Sequence, residues 1–204
     1  MERVIICLSG HSGAGKSTIA RMLSERYGFL HVSREAQLRR IREELGKSRR
    51  EALAAYVHAP RDQIEEFDLQ VVQRMVQDAG NSPRVVLDFL TRPSHVAAVK
   101  QAFPDARVVT LYVSAPELLR AVSVLNRNKA RVTEPGVKRR TSSVLFDFAI
   151  EHLTHNSKWG ELGALAKTAD YRIVRTRKNN PVIPDRVDEI VERVLKPQGQ
   201  SHRP

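Results

Sequence analysis

Residues 10–18 read Gly-His-Ser-Gly-Ala-Gly-Lys-Ser-Thr and follow directly on the apolar run Arg3-Val4-Ile5-Ile6-Cys7-Leu8. An unbroken apolar run suits a strand buried on both faces, as in a parallel sheet. Gly10, Gly15, Lys16 and Ser17 satisfy the spacing G-x-x-x-x-G-K-[ST]. Glycines let the backbone wrap closely and aim successive N–H groups inward, and the helix that follows adds its N-terminal partial positive charge. The strand, glycine turn and helix together form a cradle for an anion. They also dictate a crossover to a parallel strand, hence an α/β architecture with helices on both faces of the sheet.

The rest of the chain alternates short apolar runs with helical periodicity. Strands are expected at 29–32, 84–89, 107–113 and 170–175. Helices are expected at 16–26, 34–45, 48–58, 61–79, 94–103 with Ser94 as N-cap, 116–127, 142–156, 160–167 and 185–195. In 61–79 the apolar positions Ile64, Phe67, Val71, Val72, Met75 and Val76 recur at helical spacing. Residues 128–141, with Pro135-Gly136 and a cluster of bases, read as a loop or hairpin, and 197–204 as a disordered tail. The reading is one domain over 1–196. No run approaches the ~18 apolar residues a membrane helix needs. Cys7 is the only cysteine, which excludes a disulfide framework. A cytoplasmic location, with no membrane partner, is the resulting expectation.

Physical chemistry assigns the loop residues. Gly10, Ser12, Gly13, Ala14, Gly15, Lys16, Ser17 and Thr18 are expected to hold the phosphates of ATP, with Lys16 on the β/γ-phosphates and the Ser17 hydroxyl on Mg²⁺. Asp88 closes the apolar run Val85-Val86-Leu87 at the sheet edge where such ligands gather, a place from which it can act on the metal or the acceptor. His152 and His155 share helical spacing with apolar neighbours and read as packing residues rather than metal ligands.

Net charge is +11, and it is focused. Residues 34–50 hold seven basic and three acidic side chains, and residues 120–140 hold seven basic and one acidic. Such focusing points to a polyanionic partner, a phosphorylated small molecule or a nucleic acid. A solvated helix face is the plainer alternative for any single arginine.

On these residues the chain resembles the P-loop nucleoside monophosphate kinase group, which includes adenylate, cytidylate and dephospho-CoA kinase-like members. Asp88-Phe89-Leu90-Thr91-Arg92-Pro93 is similar to a strand end of that group whose arginine grips the acceptor phosphate, and Leu38-Arg39 is similar to its acceptor-helix pair. The resemblance implies an acceptor-binding insert near 34–80 using Arg39 and Arg92, with Ser33 and Arg34 close by. It also implies a lid near 127–141, with Arg127 and Arg131 on the transition state and Arg120 a further candidate. Strand Ala169–Val174 is similar to a late strand of the dephospho-CoA kinase-like members. The chain departs from the group in two places. Phe89 stands where a glycine is usual, and Ser33-Arg34-Glu35 replaces a Thr-Gly-Asp.

The expected activity is transfer of the γ-phosphoryl of ATP·Mg²⁺ to a nucleotide or similar phosphate-bearing small molecule. Lys16, Asp88, Arg127 and Arg131 are the expected catalytic residues, and Ser17 and Asp88 the metal ligands. Two competitors stand beside it: a kinase acting on nucleic acid, and a regulatory nucleotide hydrolase. An aromatic share of 5% leaves little for stacking single strands and weighs against the first.

Overall fold

A computed structural model describes residues 2–132, 161–177 and 182–196. Five parallel strands, β1 (Val4–Ser9), β2 (Leu30–Ser33), β3 (Arg84–Leu90), β4 (Arg107–Ser114) and β5 (Tyr171–Val174), form one sheet in the order β2-β3-β1-β4-β5. The helices are α1 (Lys16–Tyr27), α2 (Arg34–Glu44), α3 (Arg49–His58), α4 (Arg61–Ala79), α5 (Pro93–Ala102), α6 (Glu117–Val132), α7 (Leu162–Thr168) and α8 (Val182–Leu195). The predicted α/β fold is therefore the observed one.

Alternation along β1 shows why the run had to be apolar throughout. Val4, Ile6 and Leu8 enter a core shared with Ile19 and Leu23 of α1 and Ile190 and Val194 of α8. Ile5 and Cys7 enter the opposite core, with Val71 and Met75 of α4, Val99 of α5 and Leu165 of α7. Burial pushes the Cys7 thiol up to about 12, so it is an inert core group.

Three boundaries correct the sequence reading. Helix α5 starts at Pro93, with Arg92 rather than Ser94 in the capping position; proline fits the first helical residue because its missing N–H has no helical partner there. Helix α6 runs on to Val132, so residues 128–132 are helical rather than part of a loop. Helix α8 begins at Val182, earlier than position 185. The expected helix at 142–156, most of the lid, His152, His155 and the tail lie outside the described residues. Among the described residues, no helix is long and apolar enough to cross a membrane.

The strand order positions the site. From β1 the chain moves to one side to build β2 and β3, then crosses to the other side for β4. The carboxyl end of β1 is thus the switch point of the sheet, where crevices form.

Candidate active site

The turn between β1 and α1 depends on close backbone approach. A Cβ on Gly10 (φ 130°) would fall 2.0 Å from the carbonyl oxygen of Val113, at the end of β4. A Cβ on Gly13 (φ 76°) would fall 2.5 Å from that of Arg120, in the first turn of α6. No L side chain fits either place. The loop is pressed against β4 and α6, and Lys16 ties it internally: Nζ donates to the carbonyls of Gly10 and His11, each at 2.9 Å. Its ammonium also lies 4.2 Å from the centroid of the Phe89 ring.

Ser17 opens α1 beside the end of β3, and its hydroxyl donates to Asp88 Oδ2 at 3.1 Å. His31 Nε2 is 3.5 Å from the same oxygen, and Ser33 pairs in register with Asp88. The other carboxylate oxygen, Asp88 Oδ1, is buried and has no hydrogen-bond partner among the described residues. An orphaned buried oxygen beside a hydroxyl is a hard-donor pair that suits Mg²⁺, an ion that keeps most of its waters and takes one or two protein ligands. No larger metal-ligating cluster occurs among the described residues.

A cluster of buried charge also borders Phe89. Arg34, the first residue of α2, donates from Nη2 to Asp68 Oδ1 of α4 at 2.5 Å. The Tyr56 hydroxyl lies 3.1 and 3.2 Å from the two Asp68 oxygens, and burial pushes its pKa up. Arg92 Nε is 3.9 Å from Asp68 Oδ2. Arg92 Nη1 donates to Glu65 at 2.5 Å and to Glu161 at 3.0 Å. Arg34, Arg92 and Asp68 are at most 6% exposed at their side chains. Arg34 and Arg92 thus meet through one carboxylate, whereas Arg39 is on the exposed face of α2. The side chains of Arg127 and Arg131 lie outside the described residues, although α6 carries both.

The match to known proteins follows this geometry: residues 5–149 match the AAA domain family AAA_33. The chain belongs to that family. It is a P-loop protein of the nucleoside monophosphate kinase-like group. Among curated proteins, this AAA domain is similar to a cytidylate kinase from Methanocella arvoryzae (28% identity, 63% of this chain and 66% of the relative) and to one from Ignicoccus hospitalis (30% identity, 61% and 64%). The chain therefore spans about two thirds of the length of these relatives. Its fold resembles the crystal structure of TT1252 from Thermus thermophilus, with a TM-score of 0.61 at 20% identity over 97% of this chain and all of the other.

Several side chains at the site escape a reading of the sequence by motif. Asp68 had a signal: an acid inside the apolar stripe of α4, four residues after Ile64 and three before Val71. Arg175, just after β5, had none. It reaches across the loop, donating from Nη1 to Gly13 O at 3.3 Å and to Ser123 Oγ of α6 at 3.0 Å. The basic count over 34–50 also overstates the charge in space. Arg34 and Arg40 face Asp68 and Asp78 of α4, a helix with five acidic and two basic residues.

His95 of α5 is fully buried behind Arg34 and Arg92 and accepts from the Thr91 N–H at Nδ1 (3.3 Å). Burial first, then the charges of Arg34 and Arg92, lower its pKa from 6.5 to about 3. The folded state thus binds fewer protons than the unfolded one between these values, and stability falls as pH drops from 6.5 towards 3. The expected contribution is up to about 1.4 kcal/mol per pH unit. Urea unfolding across that range should show a shallower pH slope in His95→Gln than in the parent.

Proposed function

We propose that this chain transfers the γ-phosphoryl group of ATP·Mg²⁺ to a nucleotide or a similar phosphate-bearing small molecule. One observation carries the reading. The ring of Phe89 lies 4.2 Å from the loop ammonium of Lys16 and 5.5 Å from the guanidinium of Arg34. An anion-binding loop and an arginine pair thereby share one border, as direct transfer between two bound phosphates requires.

In this reading Gly10, Ser12, Gly13, Ala14, Gly15, Lys16, Ser17 and Thr18 hold the donor. Lys16 leaves the Gly10 and His11 carbonyls for the phosphates and balances the charge that develops on transfer. Ser17 and Asp88 would hold Mg²⁺, which when bound neutralises charge on the β- and γ-oxygens. Arg34 and Arg92 take the acceptor phosphate in two-pronged contacts, and Arg34 replaces Arg39 in that part. A dianion competes there with Glu65 and Glu161, the two partly exposed partners of Arg92. Ser33 lies at the same edge, Arg127 and Arg131 of α6 are assigned to the transition state, and residues 34–80 and 127–141 form the acceptor insert and lid. The names of the curated relatives support a nucleotide as acceptor, and the acidic partners on α4 weigh against a nucleic-acid groove along α2.

The test offers γ-labelled ATP with a panel of nucleoside monophosphates, dephospho-CoA and oligonucleotides. Label on a free monophosphate is expected. Label on oligonucleotides alone would transfer the reading to a nucleic-acid kinase, and label only in inorganic phosphate would leave a hydrolase.

A further inference from the structure

Phe89 has a backbone that phenylalanine seldom adopts. Its φ is +74°, and it is the only residue other than glycine with positive φ among the described residues; bulky side chains are genuine outliers there. It is also the extra residue of a β-bulge. Leu8 pairs with Asp88 and Ser9 with Leu90, which leaves Phe89 out of the ladder. Bulges beside binding sites re-aim a side chain, and strain that persists at such a place points to a task for that residue. The re-aimed ring comes to lie within 5.5 Å of two cations, the Lys16 ammonium and the Arg34 guanidinium.

The Lys16 ammonium has three N–H donors. Two are aimed at Gly10 O and His11 O, and the ring face lies at the distance of a cation–π contact. When phosphates draw the ammonium away from the two carbonyls, the ring face is a contact that can persist. We infer that Phe89 is a positioning residue whose aromatic face holds the Lys16 ammonium at the border between the donor loop and the Arg34–Arg92 pair. The inference rests on the reading of Lys16 as the donor-side cation.

A purely space-filling part would depend on bulk, whereas this one depends on the electron-rich ring face. Phe89→trifluorophenylalanine keeps the size and removes most of the negative face; Phe89→Tyr keeps both; Phe89→Leu keeps only apolar bulk. Three quantities are measured in each: thermal midpoint, Kd for ATP·Mg²⁺ by titration calorimetry, and kcat with labelled ATP. The expected result is about a tenfold fall in kcat for the fluorinated and Leu variants, with Kd within about threefold of the parent and Tyr close to it. Unchanged turnover in the fluorinated variant overturns the inference, as does a loss in all three that follows the thermal midpoint. The hydrolysis of ATP without acceptor is measured in the same proteins. If the parent labels no acceptor at all, the proposed function fails on its own. The positioning part is then decided by hydrolysis: a comparable fall in the fluorinated variant supports it, and an equal rate refutes it.

Discussion

Lys16→Ala is expected to cut phosphoryl transfer by about a thousandfold, about 4 kcal/mol of transition-state stabilisation. Lys16 is 7% exposed, and its ammonium donates to the loop carbonyls of Gly10 and His11. A charge already housed inside the loop acts where negative charge accumulates and needs little reorganisation at the moment of transfer. The fold is expected to survive the change, because both lost hydrogen bonds lie within one short loop. The measurement is kcat with γ-labelled ATP, alongside the thermal midpoint. Near-normal turnover in a folded variant would remove Lys16 from the donor site.

Asp68→Ala is the change expected to cost most stability, about 3–5 kcal/mol. Asp68 is 0% exposed and lies in contact with Arg34, Arg92 and the Tyr56 hydroxyl. Arg92 keeps Glu65 and Glu161, whereas the buried Arg34 guanidinium loses the Asp68 carboxylate. The double change Asp68→Ala with Arg34→Met should recover much of the lost stability, since removing both charges lifts the desolvation penalty that removing one exposes. It should not recover acceptor use. Denaturant unfolding checks the first part and acceptor KM the second. Equal stability of the single variant and the parent would show that the buried charges do not depend on Asp68.

Much of this was legible in the residues. The loop, the strand before it and the helix after it follow from one spacing. Asp88 was readable because a carboxylate at the end of an apolar run has few places to go in a parallel sheet. Arg92 came from the resemblance of the segment that starts at Asp88. Arg39, which the resemblance gives to the acceptor, lies on the exposed face of α2. Residues Arg34, Gln37 and Ile41 define the buried side of α2, and position 39 is out of step with all three. Phe89 could not be read at all, because nothing local forces a positive φ on phenylalanine; the bulge against β1 does so. Arg175 was equally hidden, since its contact with Gly13 spans 162 positions of sequence.

The family match ends at residue 149, yet Glu161 holds Arg92 and Arg175 clasps Gly13 from beyond that limit. Residues on both borders of the site are thus held by side chains that lie beyond the matched span. Trimming the chain to the matched span would remove both tethers at once, Glu161 from Arg92 and Arg175 from Gly13.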